Sequence, residues 1–245
     1  RRQRQMCIRD RFFIAQNAPF RKIDKCSNLI LQNTHDGFHH SVEEDIDGNI
    51  WTSTHIYPQS LPVEKVGRDI VEDGGFYDDA IVKLSADGEI LYEKSISKIF
   101  IDNGMESRLS MVGTSHEFQL DPIHINDVQP VNFDGKYWKK GDVFLSLKNQ
   151  SSIIHYRPNT NKVINYISGP FSEQHDPDII SDKEISIFNN NNFLVNNEHS
   201  EVVIYNYETK RFRKLFNDQF KKNNIKTITG GLSHIFKDGS LMVEE

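Results

Sequence analysis

Hydrophobic positions along the chain form short runs, separated by polar clusters that contain Asp-Gly and Asn. The runs are rich in Ile, Val, Phe, Tyr and Leu, which favour strands, while the clusters favour turns. Strands are predicted at Asn49–Thr52, Ala80–Leu84, Glu89–Lys94, Asp142–Leu147, Ile153–Tyr156, Val163–Ile167, Ile185–Phe188 and Val202–Tyr207. Only Glu64–Val71 and Phe216–Lys222 have the pattern of short helices. The sequence therefore predicts an all-β fold.

Repetition distinguishes a propeller from a sandwich or a barrel. Four segments begin with a histidine and continue through an apolar stretch and a turn into a strand; they start at His40, His124, His175 and His234. Three are followed by two strands around a polar turn, at Ala80–Tyr92, Ile153–Ile164 and Val202–Phe212. Each unit thus holds about four strands, the size of a propeller blade. We predict a β-propeller with roughly three to four blades present and a loop insertion at Tyr57–Asp79.

Composition excludes several classes of protein. The chain is 37% hydrophobic and 26% charged, which is typical of a globular domain. No apolar run approaches the roughly 20 residues of a membrane helix. The net charge is −6 and no basic patch alternates with aromatic residues, so we expect no nucleic-acid partner. Cys7 and Cys26 form neither a disulfide framework nor a metal motif.

The two ends of the chain differ in character from the rest. Residues Arg1–Arg11 are basic and resemble a translated adapter sequence of environmental assemblies, so we interpret 1–11 as a non-native leader. Residues 12–245 are then the partial propeller domain. Leu241–Glu245 has the pattern of a strand. We expect a metagenomic fragment that is truncated at both ends.

Several motifs in order resemble the arylsulfotransferase family over about residues 35–245. They are Asp121–Val131, Gly141–Ile154, Tyr156–Ile164, Gly169–Ile180 and Ile185–Asn191. The resemblance implies a six-bladed propeller with its active site in the central channel. It also implies transfer of a sulfuryl group from a phenolic sulfate ester to a phenol, without 3'-phosphoadenylyl sulfate and without a cofactor.

The resemblance also implies a set of catalytic residues. His175, in the Gln-His motif, would carry the sulfuryl group as a sulfohistidine, because neutral imidazole is a competent nucleophile near pH 7. His124 and His40 would be the supporting histidines and exchange protons with the phenol. Lys148 stands where the family has an arginine. An ammonium keeps the charge but loses the bidentate fork of a guanidinium.

Other candidate residues follow from the same segments. Asn126 and Asn149 are predicted neutral donors to the substrate, and His39 is an alternative to His40 as the channel residue. Asp176 is a candidate to orient the ring of His175, and Asn189–Asn192 is interpreted as a turn. His234 occupies the equivalent place in the fourth unit. The remaining histidines are interpreted as loop or surface residues: His35, His55, His116, His155 and His199.

Two alternatives remain open. Converging histidines could bind zinc or copper, but no pair has convincing ligand spacing, so no metal is expected. A non-catalytic propeller that binds a ligand or a protein is the alternative function, since fold alone does not define function. The resemblance implies an aryl sulfate and a phenol as partners and a periplasmic or envelope location. It also allows a membrane anchor in a preceding segment, and the oligomeric state is unknown.

Overall fold

The computed structural model describes residues 11–13, 18–61, 76–110, 120–192 and 199–245. Strands dominate these parts of the chain. They are β1 (Arg11–Phe13), β2 (Ala18–Ile23), β3 (Leu29–Glu44), β4 (Ile50–His55), β5 (Asp79–Leu84), β6 (Ile90–Ser95), β7 (Ile125–Pro130), β8 (Val143–Leu147), β9 (Ser152–Arg157), β10 (Lys162–Ser168), β11 (His175–Ile179), β12 (Glu184–Asn189), β13 (Glu201–Asn206), β14 (Arg211–Leu215), β15 (Leu232–Ile235) and β16 (Leu241–Glu244). The helices are α1 (Ile96–Asp102) and α2 (Asn217–Lys222), with 3₁₀ turns at Glu106–Ser110 and Pro158–Thr160.

The strands form antiparallel sheets in which sequential strands are neighbours. Two sheets have four strands each, β7–β10 and β11–β14, and a two-stranded sheet pairs β15 with β16. The remaining sheet has six strands, β1–β6. Its strands β3–β6 correspond to one four-stranded sheet, and β2 extends it by pairing with β3. This meander is the pattern of a propeller blade. We call β3–β6, β7–β10 and β11–β14 the first, second and third blades, and β15–β16 the fourth-blade hairpin.

The first strands of successive blades lie side by side. β3 contacts β7, β7 contacts β11, and β11 contacts β15. Strands that meet in this order surround a common axis, as the innermost strands of a propeller do. The prediction of a β-propeller is therefore confirmed.

Hydrophobic side chains fill the spaces between blades. Trp51, Ile125 and Tyr156 belong to one cluster, which packs the first blade against the second. Trp138 and Phe144 belong to another, which packs the second blade against the third. Both faces of the middle strands are covered by neighbouring blades, which explains why all five residues of β8 are buried. The hydrophobic residues of these middle strands consequently follow one another in continuous runs instead of alternating with polar residues.

Most local predictions agree with the structure. All eight predicted strands correspond to observed ones, and the predicted helix at Phe216–Lys222 is α2. The helix predicted at Glu64–Val71 lies outside the described residues, as does most of the predicted leader, although Arg11 begins β1. Helix α1 was not predicted; its N-cap is Ser95, whose hydroxyl accepts the Lys98 N–H. None of the helices in the described ranges is long and apolar enough to cross a membrane.

One histidine interpretation is wrong. His155 was assigned to a loop or the surface, but it lies in β9 and is fully buried. Its Nε2 is 2.8 Å from Oδ2 of Asp142, and its ring stacks on Phe144. A buried imidazole is tolerated here because a carboxylate supplies its polar partner. His116 lies outside the described residues.

Candidate functional site

A cavity of about 900 Å³ lies at the axis, between the first strands of the blades. It is lined by predicted site residues from three blades: His40, His124, Asn126, Lys148 and His175. His234 of the fourth-blade hairpin lines it too. Residues as far apart in sequence as His40 and His234, 194 positions, thus face one volume.

The same backbone device presents these histidines in each blade. The strand register shifts between His39 and Val42, between Ile125 and Asp127, and between His175 and Pro177. Positive φ values occur within the first and third of these shifts, +62° at His40 and +46° at Asp176, and directly before the second, +55° at His124. A bulge with a left-handed residue redirects a side chain that a regular strand would place elsewhere. Such strained positions cost free energy and are typical of functional sites.

The ring of His175 is held by hydrogen bonds to its Nδ1. Oδ1 of Asn190 lies 2.7 Å away and the carbonyl oxygen of Glu173 lies 3.1 Å away. The amide of Asn190 cannot turn round, because its Nδ2 donates to the carbonyl oxygens of Gly230, at 2.7 Å, and Thr227, at 3.3 Å. Two acceptors therefore face Nδ1, which carries the proton. Nε2 is left with its lone pair.

Electrostatics keep His175 neutral. Burial lowers its pKa; the bonds to Asn190 and Glu173 oppose this, and the positive charge of Lys148 lowers the pKa further. Asn126 also belongs to this neighbourhood, because its Nδ2 lies 3.2 Å from Nδ1 of His175 while donating to the carbonyl oxygen of Gln174 at 2.8 Å. Near neutral pH, His175 therefore has an unprotonated nitrogen available for attack on an electrophile.

His40 and His124 form a second group in the cavity. Their Nε2 atoms are 3.2 Å apart, and Nδ1 of His124 is 2.5 Å from Oδ2 of Asp121. Desolvation by the surrounding protein, followed by the positive charges of His39 and His124, lowers the pKa of His40, although its side chain remains exposed to the cavity. His40 is consequently neutral at pH 7, and the distance between the two Nε2 atoms is that of a hydrogen bond that shares one proton. Such a pair can give a proton to a bound molecule and take one back.

Two predicted residues lie behind the cavity wall rather than in it. His39 is 1% exposed, its Nδ1 lies 2.5 Å from Nδ1 of His40, and its Nε2 lies 3.1 Å from Oδ1 of Asp79. Asn149 donates from Nδ2 to the carbonyl oxygen of Asp121 at 2.6 Å, so it anchors the segment that carries Asp121. Of the two adjacent histidines, His40 is the one in the channel.

Sequence reasoning missed the residues that orient the histidines. Oδ2 of Asp176 accepts the backbone N–H of Ser233 at 2.7 Å, which ties the third blade to the fourth-blade hairpin. Asn190 contacts Nδ1 of His175, although its asparagine run has the signature of a turn. The spacing of Asp121, three residues before His124, was a signal that could have been used.

One group of side chains could supply metal ligands. Donor atoms of His39, His55 and Asp79 all lie within 4.8 Å of one another. The rings of His39 and His55 stack with centroids 4.2 Å apart, and both Nε2 atoms face Oδ1 of Asp79, at 3.1 and 3.4 Å. A buried carboxylate that needs charge compensation accounts for the same arrangement.

The fold and site together define a β-propeller with a histidine-lined channel cavity. The model of the family Arylsulfotransferase (ASST) matches residues 19–245, which is most of the chain. The chain therefore belongs to the arylsulfotransferase family. No curated protein matches the sequence.

Similar solved structures share little sequence with this chain. A protein of unknown function from Bacteroides caccae is 12% identical, with 86% of this chain and 58% of that one covered and a TM-score of 0.49. The Pan2 WD40 domain of Neurospora crassa is 8% identical, with 83% and 50% covered and a TM-score of 0.43. A streptogramin B lyase is 12% identical, with 96% and 72% covered and a TM-score of 0.42. The chain thus spans 58% and 50% of the first two proteins, and these similarities support no functional argument.

Proposed function

We propose that this protein transfers a sulfuryl group from a phenolic sulfate ester to a phenol through a sulfohistidine at His175. The observation that carries the proposal is the 2.7 Å contact between Nδ1 of His175 and Oδ1 of Asn190 in the wall of the cavity, from which we infer that Nδ1 carries the proton and Nε2 the reactive lone pair. Membership of the arylsulfotransferase family supplies the chemical class. No step requires a nucleotide sulfate donor.

In the first half-reaction, Nε2 of His175 attacks the sulfur of the aryl sulfate. The N–S bond forms, the S–O bond to the aryl oxygen breaks, and its electron pair leaves with the phenolate. The His40–His124 pair gives its shared proton to that oxygen. In the second half-reaction the pair takes the proton of the acceptor phenol, whose oxygen attacks the sulfur and releases His175. The covalent intermediate divides one difficult transfer into two easier ones.

Lys148 is proposed to bind the sulfuryl oxygens during both steps. It lines the same cavity as His175, and its positive charge lowers the pKa of His175. Its positive charge complements the negative charge on the transferred group. Asn126 is a second donor in the same wall. A lysine contributes a point charge without bidentate positioning, so we expect slower transfer than an arginine would support.

Donor and acceptor are proposed to be small aromatic molecules, and a periplasmic or envelope location is proposed from the family alone. The competing function is a propeller that binds sulfated or phenolic ligands without turnover. Lys148, at the position where the resemblance implies an arginine, favours it.

The test is phenol release from 4-nitrophenyl sulfate by this chain, with and without phenol as acceptor, followed by mass spectrometry of the peptide that contains His175. We expect acceptor-dependent release and a sulfuryl adduct on His175, both lost in His175→Ala. His35→Ala is the matched control, because its side chain is 51% exposed and lies outside the cavity lining. A folded chain with neither release nor adduct, even as Lys148→Arg, would refute the transferase and favour the binding propeller.

A further inference from the structure

Three neighbouring strands of the first blade bring two imidazoles and a carboxylate together. His39 lies in β3, His55 ends β4 and Asp79 begins β5. In the strand register His55 is directly opposite Asp79, and His39 is opposite Ser53, two residues before His55. Side chains opposite one another, or two residues apart on one strand, lie on the same face of a sheet. Strand pairing therefore gathers three side chains that no spacing along the sequence brings together.

Two buried atoms of this group lack a hydrogen-bond partner in the part of the chain that the structure describes: Nε2 of His39 and Oδ1 of Asp79. Their side chains are 1% and 0% exposed, so bulk water does not satisfy them. The two atoms are 3.1 Å apart, so orientation rather than distance prevents a hydrogen bond between them. Because an unsatisfied buried polar atom costs free energy, both atoms need a further group that they can contact together.

The spacing of the three donor atoms fits one metal ion. All three lie within 4.8 Å of one another, and Oδ1 of Asp79 is 3.1 and 3.4 Å from the Nε2 atoms of His39 and His55. Ligands about 2.0 to 2.2 Å from a tetrahedral Zn²⁺ ion are about 3.3 to 3.6 Å from one another. The two measured separations therefore lie within a few tenths of an ångström of those expected around zinc.

The chemistry of the donors favours zinc over the hard cations. Imidazole nitrogen binds Zn²⁺ and its transition-metal neighbours, whereas Mg²⁺ and Ca²⁺ prefer oxygen ligands. Two histidines and one carboxylate are a known ligand set for zinc, with water in the fourth position. The side chain of His55 is 21% exposed, so water reaches this edge of the group. The ion also compensates the buried charge of Asp79 without the hydrogen bonds that an ion pair with the histidines requires.

We propose that His39, His55 and Asp79 bind a Zn²⁺ ion behind the wall of the cavity, with water as the fourth ligand. Oδ2 of Asp79 accepts the backbone N–H of His124, in the second blade, at 2.9 Å. Nδ1 of His39 lies 2.5 Å from Nδ1 of His40. The ion thus stabilises the junction of two blades from behind and contacts no substrate. The site is independent of the proposed sulfuryl transfer.

The direct test is metal binding by the full chain. The protein is treated with EDTA, dialysed against metal-free buffer and titrated with ZnCl₂ by calorimetry, and with CoCl₂ as an optical probe. We expect one tightly bound Zn²⁺ per chain, the visible absorption bands of four-coordinate Co²⁺, and a higher Tm with Zn²⁺ than in EDTA. An excess of MgCl₂ should not displace the zinc, because two of the ligands are imidazoles.

His55→Ala is the sharpest variant, because the partly exposed side chain can be removed without opening a core. We expect its affinity for Zn²⁺ to fall by at least about 100-fold, since losing even the hydrogen-bond partner of a ligand typically costs about 10- to 100-fold. Asp79→Asn should lose affinity to a similar extent, and thermal unfolding in EDTA shows whether it folds. His35→Ala, an exposed histidine in the same blade, is the matched control and should bind Zn²⁺ like the wild type.

His124→Ala distinguishes this site from the cavity, where His40 and His124 are also close enough to share an ion. It should retain the affinity for Zn²⁺. A folded wild-type chain that binds no Zn²⁺, or an affinity that survives in His55→Ala but is lost in His124→Ala, would overturn the proposal. A chain that binds Zn²⁺ as expected but releases no phenol would contradict the proposed function alone.

Discussion

Replacing Asn190 by aspartate tests the reasoning about the nucleophile most sharply. The carbonyl oxygen of Asn190, 2.7 Å from Nδ1 of His175, would become a carboxylate oxygen. A carboxylate at this distance stabilises the imidazolium, and opposite charges this close typically move a pKa by about 1 to 3 pH units. In the wild type, burial lowers the pKa of His175, so the nucleophile stays neutral and active as pH falls below the ordinary histidine range.

In Asn190→Asp the new carboxylate shifts the pKa of His175 in the opposite direction, upward. The raised pKa leaves a smaller fraction of His175 unprotonated at a given pH, so activity should be lost at higher pH than in the wild type. We expect the acidic limb of the kcat/KM profile for 4-nitrophenyl sulfate to move upward by about 1 to 3 pH units, with a corresponding loss of rate at pH 6. Above the new pKa most of the rate should return.

Asn191→Asp is the matched control for this profile. It adds the same charge one residue later, where the side chain donates to the carbonyl oxygen of His199 rather than contacting His175. Thermal unfolding must accompany both profiles, because a carboxylate in place of the Asn190 amide cannot donate to Gly230 and Thr227. An acidic limb that is identical in wild type and Asn190→Asp, with both proteins folded, would refute the assignment of the proton to Nδ1.

Three further predictions concern other parts of the structure. Lys148→Arg should raise kcat/KM by about tenfold, because the guanidinium restores bidentate contact with the sulfuryl oxygens; an unchanged or lower value would show that Lys148 does not touch the sulfuryl group. His124→Gln should slow release of phenol, a poor leaving group, far more than release of 4-nitrophenol, because only the poor leaving group needs a proton; equal effects would argue against an acid role. Trp138→Ala should destabilise the chain by about 3 to 5 kcal/mol in urea unfolding, because this side chain is 1% exposed between two blades; a loss below about 1 kcal/mol would contradict the packing described for that interface.

Much of the architecture was predictable because it is encoded locally. Strand positions follow from short apolar runs and turn residues, and the blade follows from the recurrence of four such strands. The histidine at each blade start belongs to the same local pattern, so the sequence pattern indicated His124, His175 and His234, and left His39 and His40 as alternatives in the first blade. The errors occurred where neighbours outside the local segment decide the environment. His155 has no signal for burial in its own strand, and its partner Asp142 lies outside that strand.

The orienting contacts were decided by the tertiary structure alone. Asp79 is 45 residues from His124, and His40 is 84 residues from it, yet all three meet because the first strands of two blades pack side by side. In the sequence Asn190 resembles a turn residue. Only in the fold does the carbonyl oxygen of Gly230, which accepts from Nδ2 of Asn190, determine how the amide is oriented. A proton's position on an imidazole depends on the acceptors that surround both nitrogens. The sequence by itself determined the blade starts and the histidines at them; only the packing of blades determined that His40 rather than His39 lines the channel, and which groups contact the ring nitrogens of each histidine.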